Sequence, residues 1–373
     1  MKKHYWSAVV IWLLAMTLLC SGCGSVTRLL DENFPEKVTE QKDDEGTSLP
    51  DREGRTYVVL ITTQLESDGA LSTVSLVTFQ TATESIHWLE LPAALFIRSA
   101  GNTLEGSYQR AYQSEINKNS GTGVSATKAG VATVRSLLET GLSIPIDYSI
   151  NLDKEQFSAL TATLQGIPMT LYRPQGGLEA GLHHLSSDSA ISFLTYNQYS
   201  EPTDGQLEAR RSLIAALRQR AVELLDMQKL SIHAMEIRGA MTTDIPNKDG
   251  QDMFFLRRFL TAKNEDFTLT YVNTQSVFYQ SARYRVLIKE SVRRQINEQM
   301  CVYEQELDAE LLDRSSIFLD PSSRVMQTVY ASAPELPPLY TLASILTPEA
   351  EEEEPPESGD APSTQEAAAT GEE

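Results

Sequence analysis

The chain has 373 residues, of which 41% are hydrophobic, so its length suits one large domain or two smaller ones with a buried core. Its formal net charge is −20, from 51 acidic and 31 basic side chains. This acidic balance argues against a nucleic acid as a partner.

The first 23 residues have the features of a bacterial secretion signal. A short positive region, Met1-Lys2-Lys3, precedes an apolar run at residues 8–19, and small residues stand before Cys23. This ending is similar to the lipobox of bacterial lipoproteins, in which the cysteine is acylated after cleavage. The alternative is an uncleaved membrane anchor, because the apolar run is of marginal length for a bilayer core of about 30 Å. Both interpretations place the protein at the extracytoplasmic face of the cell membrane, and the first anchors it through a lipid on Cys23.

Composition divides the rest of the chain. Residues 24–54 are rich in Asp, Glu, Lys, Gly and Ser and are interpreted as a flexible spacer. Residues 346–373 hold ten acidic side chains among Pro, Ala and Ser, which predicts a disordered acidic tail. Between them we expect a folded domain at residues 55–300 and a C-terminal helical extension at 301–345. With Cys23 acylated and Cys20 cleaved off, Cys301 is alone, so neither an internal disulfide nor a cysteine-based metal site can form.

The first half of the domain is predicted to begin with three strands. Residues 57–62, 72–80 and 85–91 are short apolar or alternating runs joined by polar turns. Residues 98–123, with several Gly, Asn and Ser, are predicted to be loop-rich. Residues 126–140 carry apolar side chains at helical spacing and are predicted to form a helix.

A strand, a helix and a strand follow in close succession. Residues 146–152 alternate as a strand does, and Asp153 with Gln156 three positions on forms a capping-box pattern. Gly166 is expected to end that helix, and residues 167–172 to form the next strand. This rhythm predicts the α/β class, with a mixed central sheet flanked by helices.

Residues 185–220 are the stretch in which we expect the chemistry. Residues 191–196 are predicted to form a strand, and residues 201–205 a polar turn leading into a helix from Leu207. Asp204 is expected to cap that helix, with Arg210 and Arg211 in its first two turns. The alternative is a helix cap beside a solvated basic patch, without chemistry.

The last predicted elements are a helix at residues 252–260, a strand at 266–272 and a long helix at 282–311. No phosphate-binding loop, dinucleotide fingerprint, zinc-protease motif or nucleophile elbow occurs in the sequence. The five histidines are scattered, so no metal site is predicted. His87 is expected to face outward on its strand, with no catalytic part.

The order of these segments resembles that of the LytR-CpsA-Psr family of Gram-positive envelope enzymes, from about Tyr57 to Asn297. The best matches are residues 141–171, which contain the strand-helix-strand unit, and residues 185–220. Residues 185–191 stand where the family has L-N-G-E-Q-A-L, and Asp204, Leu207 and Arg210 where it has D-x-x-R-x-x-R. The resemblance implies a three-layer α/β domain. Its apolar pocket would take a polyprenyl chain, and its mouth would bind the pyrophosphate.

The resemblance also implies a reaction, the transfer of a glycopolymer from a polyprenyl pyrophosphate to peptidoglycan with Mg²⁺. Such a site needs several arginines and carboxylates. Thr73, Asp204 and Arg210 match the family. Uncharged residues stand at the family's other acidic and basic positions: Gln64, Ala70, Ser72, Ala93, Ala94, Thr195, Asn197 and Leu207.

From these matches Asp204 and Arg210 are the candidate catalytic residues. Thr73 and Arg211 are candidate ligand-binding residues, together with Arg98 and Arg110, which lie near enough in sequence to replace the lost arginines. No metal ligands are proposed, and Mg²⁺ is expected only if the protein is an active enzyme.

Two functions fit this pattern. The first is a membrane-anchored protein of cell-wall assembly that binds a polyprenyl-linked glycopolymer, peptidoglycan or a wall partner without efficient catalysis. The second is a working phosphotransferase with a rearranged cationic site. The missing arginines and acids favour the first, because catalysis of phosphoryl transfer depends above all on electrostatic stabilisation of the transferring group. A lipoprotein of similar layout and unrelated use is a third possibility. Binding of a lipid chain requires an elongated apolar cavity between sheet and helices.

Overall fold

The computed structural model describes residues 56–66, 69–97, 100–119, 123–142, 144–196, 202–224, 238–239, 241–246, 251–272, 274–279, 282–287, 295, 299–300, 302 and 339–346. The predicted signal peptide with Cys23, the spacer and residues 347–373 of the predicted tail lie outside these residues. Among the described helices, none combines the length and the apolar character that crossing a membrane requires.

The strands of the described residues are β1 (Thr56–Gln64), β2 (Thr73–Gln80), β3 (Ile86–Leu91), β4 (Phe96–Ile97), β5 (Asn102–Thr103), β6 (Tyr148–Asp153), β7 (Ile167–Leu171), β8 (Gly181–Leu185), β9 (Thr242–Thr243), β10 (Phe267–Tyr271), β11 (Thr274–Tyr279), β12 (Ala282–Leu287) and β13 (Tyr340–Thr341). The helices are α1 (Leu104–Asn119), α2 (Gly123–Leu142), α3 (Lys154–Thr163), α4 (Ser187–Leu194), α5 (Pro202–Leu224), α6 (Gln251–Thr261) and α7 (Leu342–Leu346).

Seven strands form the central sheet, in the order β13-β10-β3-β2-β1-β6-β9. β1 pairs in parallel with β6 and β3 with β10, whereas the neighbours β1 and β2, and β2 and β3, are antiparallel. The sheet is therefore mixed, as predicted. Because β13 pairs with β10, residues 340–341 belong to this sheet, and α7 behind them buries Leu342 completely.

Each face of the sheet is covered by helices, so the domain has three layers. Side chains alternate along a strand, and β1 turns Val58 and Leu60 toward one face and Val59 and Ile61 toward the other. The first pair joins a core with residues of α1 and α2. The second joins a core with residues of α5 and α6, such as Phe255. This packing explains why both sets of positions in the central strands are apolar.

The two helices on the first face approach each other closely at Gly130 in α2. A Cβ atom placed there would lie 2.5 Å from the ring of Tyr108 in α1, which is fully buried. We therefore expect Gly130→Ala to lower the free energy of unfolding by about 1–3 kcal/mol, because overpacking outweighs the gain of about 1 kcal/mol in helix propensity. Gly123→Ala is the control, since a Cβ there meets nothing within 4 Å. Urea unfolding that shows equal effects of the two substitutions would contradict this packing.

Much of the predicted order is confirmed. The first three strands, the helix after residue 123 and the strand-helix-strand unit from β6 to β7 occur where the patterns place them. The capping box is present, with the Asp153 side chain accepting from the backbone N–H of Gln156 at 2.7 Å and the Gln156 side chain accepting from that of Asp153 at 3.0 Å.

The prediction of a loop-rich segment at residues 98–123 is wrong, because α1 occupies 16 residues of it. This helix buries Leu104, Ser107 and Tyr108 on one narrow stripe. Its remaining positions are mostly polar, so the sequence lacks the broad apolar face by which an amphipathic helix is recognised.

The predicted strand at residues 191–196 is also wrong, since residues 187–194 form α4. Ser186 is its N-cap and accepts from the backbone N–H of Ser189 at 3.4 Å. Ile191 and Leu194 are buried on one side of the helix. Burial of this stripe overrides the β propensity of the isoleucine and phenylalanine.

Helix α5 begins at Pro202, five residues before the predicted start at Leu207. Proline suits the first position of a helix, because its fixed φ is helical and because a backbone N–H at that position would have no acceptor within the helix. Asp204 is therefore the third residue of the helix and not its N-cap, and its side chain lies outside the described part of the chain.

The long helix predicted at residues 282–311 is wrong at its start. Residues 282–287 form β12, which pairs antiparallel with β11 as a separate hairpin. The sequence ARYRVL alternates as a strand does, and the high content of charged residues further along the segment concealed this.

Candidate functional site

An apolar cavity of about 250 Å³ lies between the sheet and helices α3, α5 and α6. Its apolar wall includes Ile61, Ile150, Phe157, Leu213, Leu217 and Phe259. Lining residues come from β3 at one side and from β9 at the other. These strands are four positions apart in the sheet, so at about 4.8 Å per strand the cavity extends over roughly 19 Å. It is therefore elongated across the strands.

Polar side chains line one end of this cavity, on the same face of three neighbouring strands. Thr63 of β1 and Thr73 of β2 are paired across the sheet, and their hydroxyl oxygens are 2.7 Å apart. Ser75, two residues along β2, is paired with Glu90 of β3 and donates to Glu90 Oε1 at 2.7 Å. The register of β1, β2 and β3 thus brings three hydroxyls and a carboxylate together.

Glu90 and Arg210 form a buried ion pair at this end. Helix α5 places Arg210 over the sheet, with Nη1 3.8 Å from Glu90 Oε2 and Nη2 donating to the Ser72 carbonyl at 2.8 Å. The side chains are 8% and 2% exposed, so solvent hardly screens the pair. Trp88 Nε1 donates to Glu90 Oε1 at 2.5 Å. Burial raises the pKa of Glu90, and Arg210, Ser75, Trp88 and Arg211 oppose that rise without cancelling it.

Arg211 is the next residue of α5 and points in another direction. Its guanidinium lies 3.9 Å from the ring centroid of Tyr340 and 5.6 Å from that of Tyr271. The residue is buried, and its Nη1 has no hydrogen-bond partner among the described residues. The stacking holds Arg211 beside the site without making it part of the cavity wall.

No family model matches the sequence, and no curated protein matches it at the sequence level. Several solved structures share its fold. The protein gbs0355 from Streptococcus agalactiae is 14% identical with a TM-score of 0.54, over 72% of this chain and 93% of that one. The transcriptional regulator EF0465 from Enterococcus faecalis is 15% identical with a TM-score of 0.53, over 70% and 92%. Bacillus subtilis TagV is 14% identical with a TM-score of 0.52, over 68% and 100%.

TagV is a LytR-CpsA-Psr protein, and the match covers the whole of TagV and 68% of this chain. The fold is that of the LytR-CpsA-Psr proteins. The expected fold class is thereby confirmed, and the elongated apolar cavity that a lipid chain requires is present between sheet and helices. At 14–15% identity the likeness concerns the fold alone, and the chemistry depends on the residues that this chain places on it.

The predicted site residues of the LytR-CpsA-Psr-like domain are only partly brought together. Thr73 and Arg210 line the polar end of the cavity, and Arg211 lies beside it. Arg110 is exposed on α1, which covers the opposite face of the sheet, so it does not reach the cavity. Arg98 and the side chain of Asp204 lie outside the described residues, and their roles stay predictions.

Sequence comparison with the family missed Glu90, although this carboxylate is an ion-pair partner of Arg210 in the cavity wall. One signal was present. A single glutamate stands in the apolar strand IHWLEL, followed by Pro92, and a charged residue at an interior strand position is costly unless it has a partner. Ser75 and Thr63 carried no such signal, because hydroxyls are common in strands.

The described residues at this end do not fit Mg²⁺. In proteins this ion is usually held by one or two carboxylates together with waters and substrate phosphates. Glu90 is the one carboxylate among the lining residues, and it already accepts from two donors and faces the Arg210 guanidinium. Gln64 stands where the family has an acid; it donates to the Gly69 carbonyl at 2.8 Å and accepts from Asn151 at 3.3 Å. Within the described chain no group of three or more His, Cys, Asp or Glu could hold a metal.

Proposed function

We propose that the protein is a membrane-anchored, extracytoplasmic protein of cell-wall assembly that binds a polyprenyl-linked glycopolymer without transferring it efficiently. The observation that carries the proposal is the elongated apolar cavity with one charged pair at one end. Such a shape and polarity suit a ligand with a long hydrocarbon chain and a polar head. Burial of a hydrocarbon chain in this cavity supplies affinity of about 0.8 kcal/mol for each CH₂ removed from water.

The charges at the polar end support binding over transfer. Transfer of a phosphoryl group from a pyrophosphate requires several cations directed at the pyrophosphate oxygens. Here Nη1 of Arg210 faces Glu90, and Nη2 is taken by a backbone carbonyl. Arg238, which also lines the cavity, lies just before β9 and donates to the Ile245 carbonyl at 3.2 Å. That places it beside β9, whereas Glu90 lies on β3, four strands away in the sheet.

The proposed location and partners depend on the sequence. Cys23 after a secretion signal and the spacer at residues 24–54 support a lipid anchor that holds the domain close to a membrane-borne polyprenyl lipid. Peptidoglycan or another wall component is the proposed partner on the polymer side. The net charge of −20 supports neither DNA nor RNA as a ligand.

We expect purified full-length protein to bind geranylgeraniol, and Leu217→Trp to weaken this binding at least about tenfold, or 1.4 kcal/mol. Leu217 lines the cavity, and the indole would occupy the space of the chain. Val222→Trp is the matched control on the same helix, because Val222 is 45% exposed. Calorimetry measures both affinities, and native mass spectrometry identifies any lipid that co-purifies. Equal binding by the two variants would place the lipid elsewhere.

An active phosphotransferase is the second candidate. It is favoured by Glu90, because a buried carboxylate with a raised pKa beside a cation suits a general base for the attacking sugar hydroxyl. The test is turnover of a prenyl pyrophosphate-linked saccharide with a peptidoglycan acceptor. Steady turnover that Arg210→Ala abolishes would replace the binding proposal by this one, and its absence with intact lipid binding would support the first.

A further inference from the structure

The two oxygens of the Glu90 carboxylate have different surroundings. Oε1 accepts hydrogen bonds from Ser75 Oγ at 2.7 Å and Trp88 Nε1 at 2.5 Å. Oε2 is buried, receives no hydrogen bond from the described residues, and lies 3.8 Å from Arg210 Nη1. Oε1 is thus held by the sheet, whereas Oε2 faces the guanidinium. Oε2 is therefore the oxygen to which a proton could be added without breaking an existing hydrogen bond.

Glu90 competes with any anionic ligand for the same cation. A phosphate at the polar end of the cavity would need Arg210, because the other lining arginine of the described residues, Arg238, lies beside β9. With Glu90 ionised, the phosphate and the carboxylate would be two like charges around one buried guanidinium. Such an arrangement strongly favours protonation of one of them.

We propose that Glu90 is the specificity-determining residue for the lipid head: a phosphate-bearing lipid binds only as Glu90 takes up a proton, whereas an uncharged prenol binds without one. This inference rests on the proposed function, since it requires the lipid chain to occupy the cavity. The proton comes from solvent and is added to Oε2. The neutral acid releases Arg210 Nη1, which then turns to the phosphate.

Among the described residues, no other carboxyl and no imidazole lines the cavity beside Glu90. Helix α5 contributes Arg210 and Arg211, whose positive charges both act to lower the pKa of Glu90. Strand β10 places Tyr271 opposite Glu90 in the sheet, and strand β2 contributes Ser75. Burial already raises the pKa of Glu90 in the free protein, which lowers the cost of adding the proton.

Two probes separate the roles of head and chain. One is geranylgeraniol; the other is the methyl phosphodiester of geranylgeraniol, whose single negative charge does not change between about pH 5.5 and 8.5. We expect the affinity of the full-length protein for the diester to fall about tenfold per pH unit above the pKa of Glu90. We expect the affinity for geranylgeraniol to stay constant. Calorimetry in buffers of different ionisation heat should show about one proton taken up per diester bound.

Glu90→Gln mimics the protonated acid. We expect it to bind the diester at about pH 8 at least tenfold more tightly than the wild type, without proton uptake or pH dependence. Ser75→Ala is a second test that leaves Glu90 in place. Because it removes a hydrogen bond that lowers the pKa of Glu90, the fall in diester affinity should begin at higher pH. This shift is not expected from a purely structural role of Ser75.

The outcomes are distinguishable. Diester binding by the wild type that is independent of pH, or unchanged in Glu90→Gln, would overturn the role of Glu90 while leaving the lipid cavity in place. Proton-linked diester binding without binding of geranylgeraniol would overturn the proposed binding of the chain, and with it the selection of a lipid head, and would leave Glu90 as a proton-linked residue of a phosphate site only. Failure of both probes would overturn both proposals.

Discussion

Replacing Arg218 by methionine should lower the free energy of unfolding by about 2–4 kcal/mol. Arg218 lies on α5 and is 4% exposed. Nε donates to the Phe259 carbonyl at 2.8 Å, Nη1 to the Asn264 side chain at 2.7 Å, and Nη2 to the Ala262 carbonyl. These carbonyls belong to the last turn of α6 and the residue after it, where a helix has no internal donors left. In the methionine variant these carbonyls would lack a hydrogen-bond donor, which accounts for the expected loss of stability.

The surroundings of Arg218 decide the sign of this effect. Burial lowers its pKa, so the cation is already held against a desolvation cost, and among the described residues it forms no ion pair that could offset this. Replacement of a buried charge by an apolar side chain can stabilise a protein when its partners are removed as well. Here the partners are backbone carbonyls that remain, and the negative end of the α6 dipole favours a cation beside it.

The comparison that tests this uses two further variants. Gln219→Met changes the next residue of the same helix, which is exposed, and is expected to alter the stability by less than about 0.5 kcal/mol. Arg218→Lys keeps the charge but loses the planar set of donors, so its effect should be intermediate. Urea unfolding of the full-length protein gives the three values. A loss for Arg218→Met no larger than that for Gln219→Met would show that α6 does not depend on this contact.

Local signals in the sequence located most of the central sheet. Strand β2 alternates in its first half, where Val74 and Leu76 alternate with Thr73 and Ser75, and the capping box of Asp153 and Gln156 fixes the start of α3 within a residue. These features depend on neighbours in sequence, and a single chain shows them directly. Helix α4 was missed because its decisive features are the cap at Ser186 and the side on which Ile191 is buried. The second of these depends on packing against residues distant in the chain.

The candidate site was only half visible for the same reason. Thr73 and Arg210 were found through the family resemblance, and both line the cavity. The carboxylate that faces Arg210 is 120 positions earlier in the chain, at Glu90, and no local pattern connects the two. Their contact depends on β3 standing beside β2 in the sheet and on α5 crossing above them. A different partner for the arginine changes the chemistry of a site whose scaffold is preserved.

Below neutral pH, His87 should cost the protein about 2 kcal/mol of stability between about pH 7 and pH 5. The imidazole is mostly buried on β3, contrary to the expectation that it faces outward. Its Nδ1 lies 2.7 Å from Thr268 Oγ1 and its Nε2 3.3 Å from Ser85 Oγ. Burial lowers the pKa of His87 to about 4, from an ordinary value of 6.5. The unfolded chain therefore binds a proton below pH 6.5 that the folded protein does not bind until about pH 4.

The sign of this effect is opposite to that of Glu90. A histidine with a lowered pKa contributes stability above its unfolded pKa and loses it as the pH falls toward about 4. Glu90, with a raised pKa, contributes stability below its unfolded pKa and loses it as the pH rises. In the wild type, the slope of the unfolding free energy against pH is the sum of such contributions from all titrating groups. The contribution of His87 is therefore obtained as the difference in unfolding free energy between the wild type and a variant whose side chain at this position cannot be charged.

His87→Gln is that variant, because its amide can still bond to Thr268 or Ser85 and does not titrate. Unfolding free energies measured from about pH 7 to pH 5 should show the wild type losing about 2 kcal/mol more than His87→Gln. His184→Gln, at an exposed histidine on β8, is the control for the loss of a histidine elsewhere in the fold. If His87→Gln and the wild type ran parallel over this range, the imidazole would have to accept its proton in the folded protein. The hydroxyls of Ser85 and Thr268 would then have to accept hydrogen bonds from both N–H groups of an imidazolium. The fold would in that case accommodate a positive charge between β3 and β10.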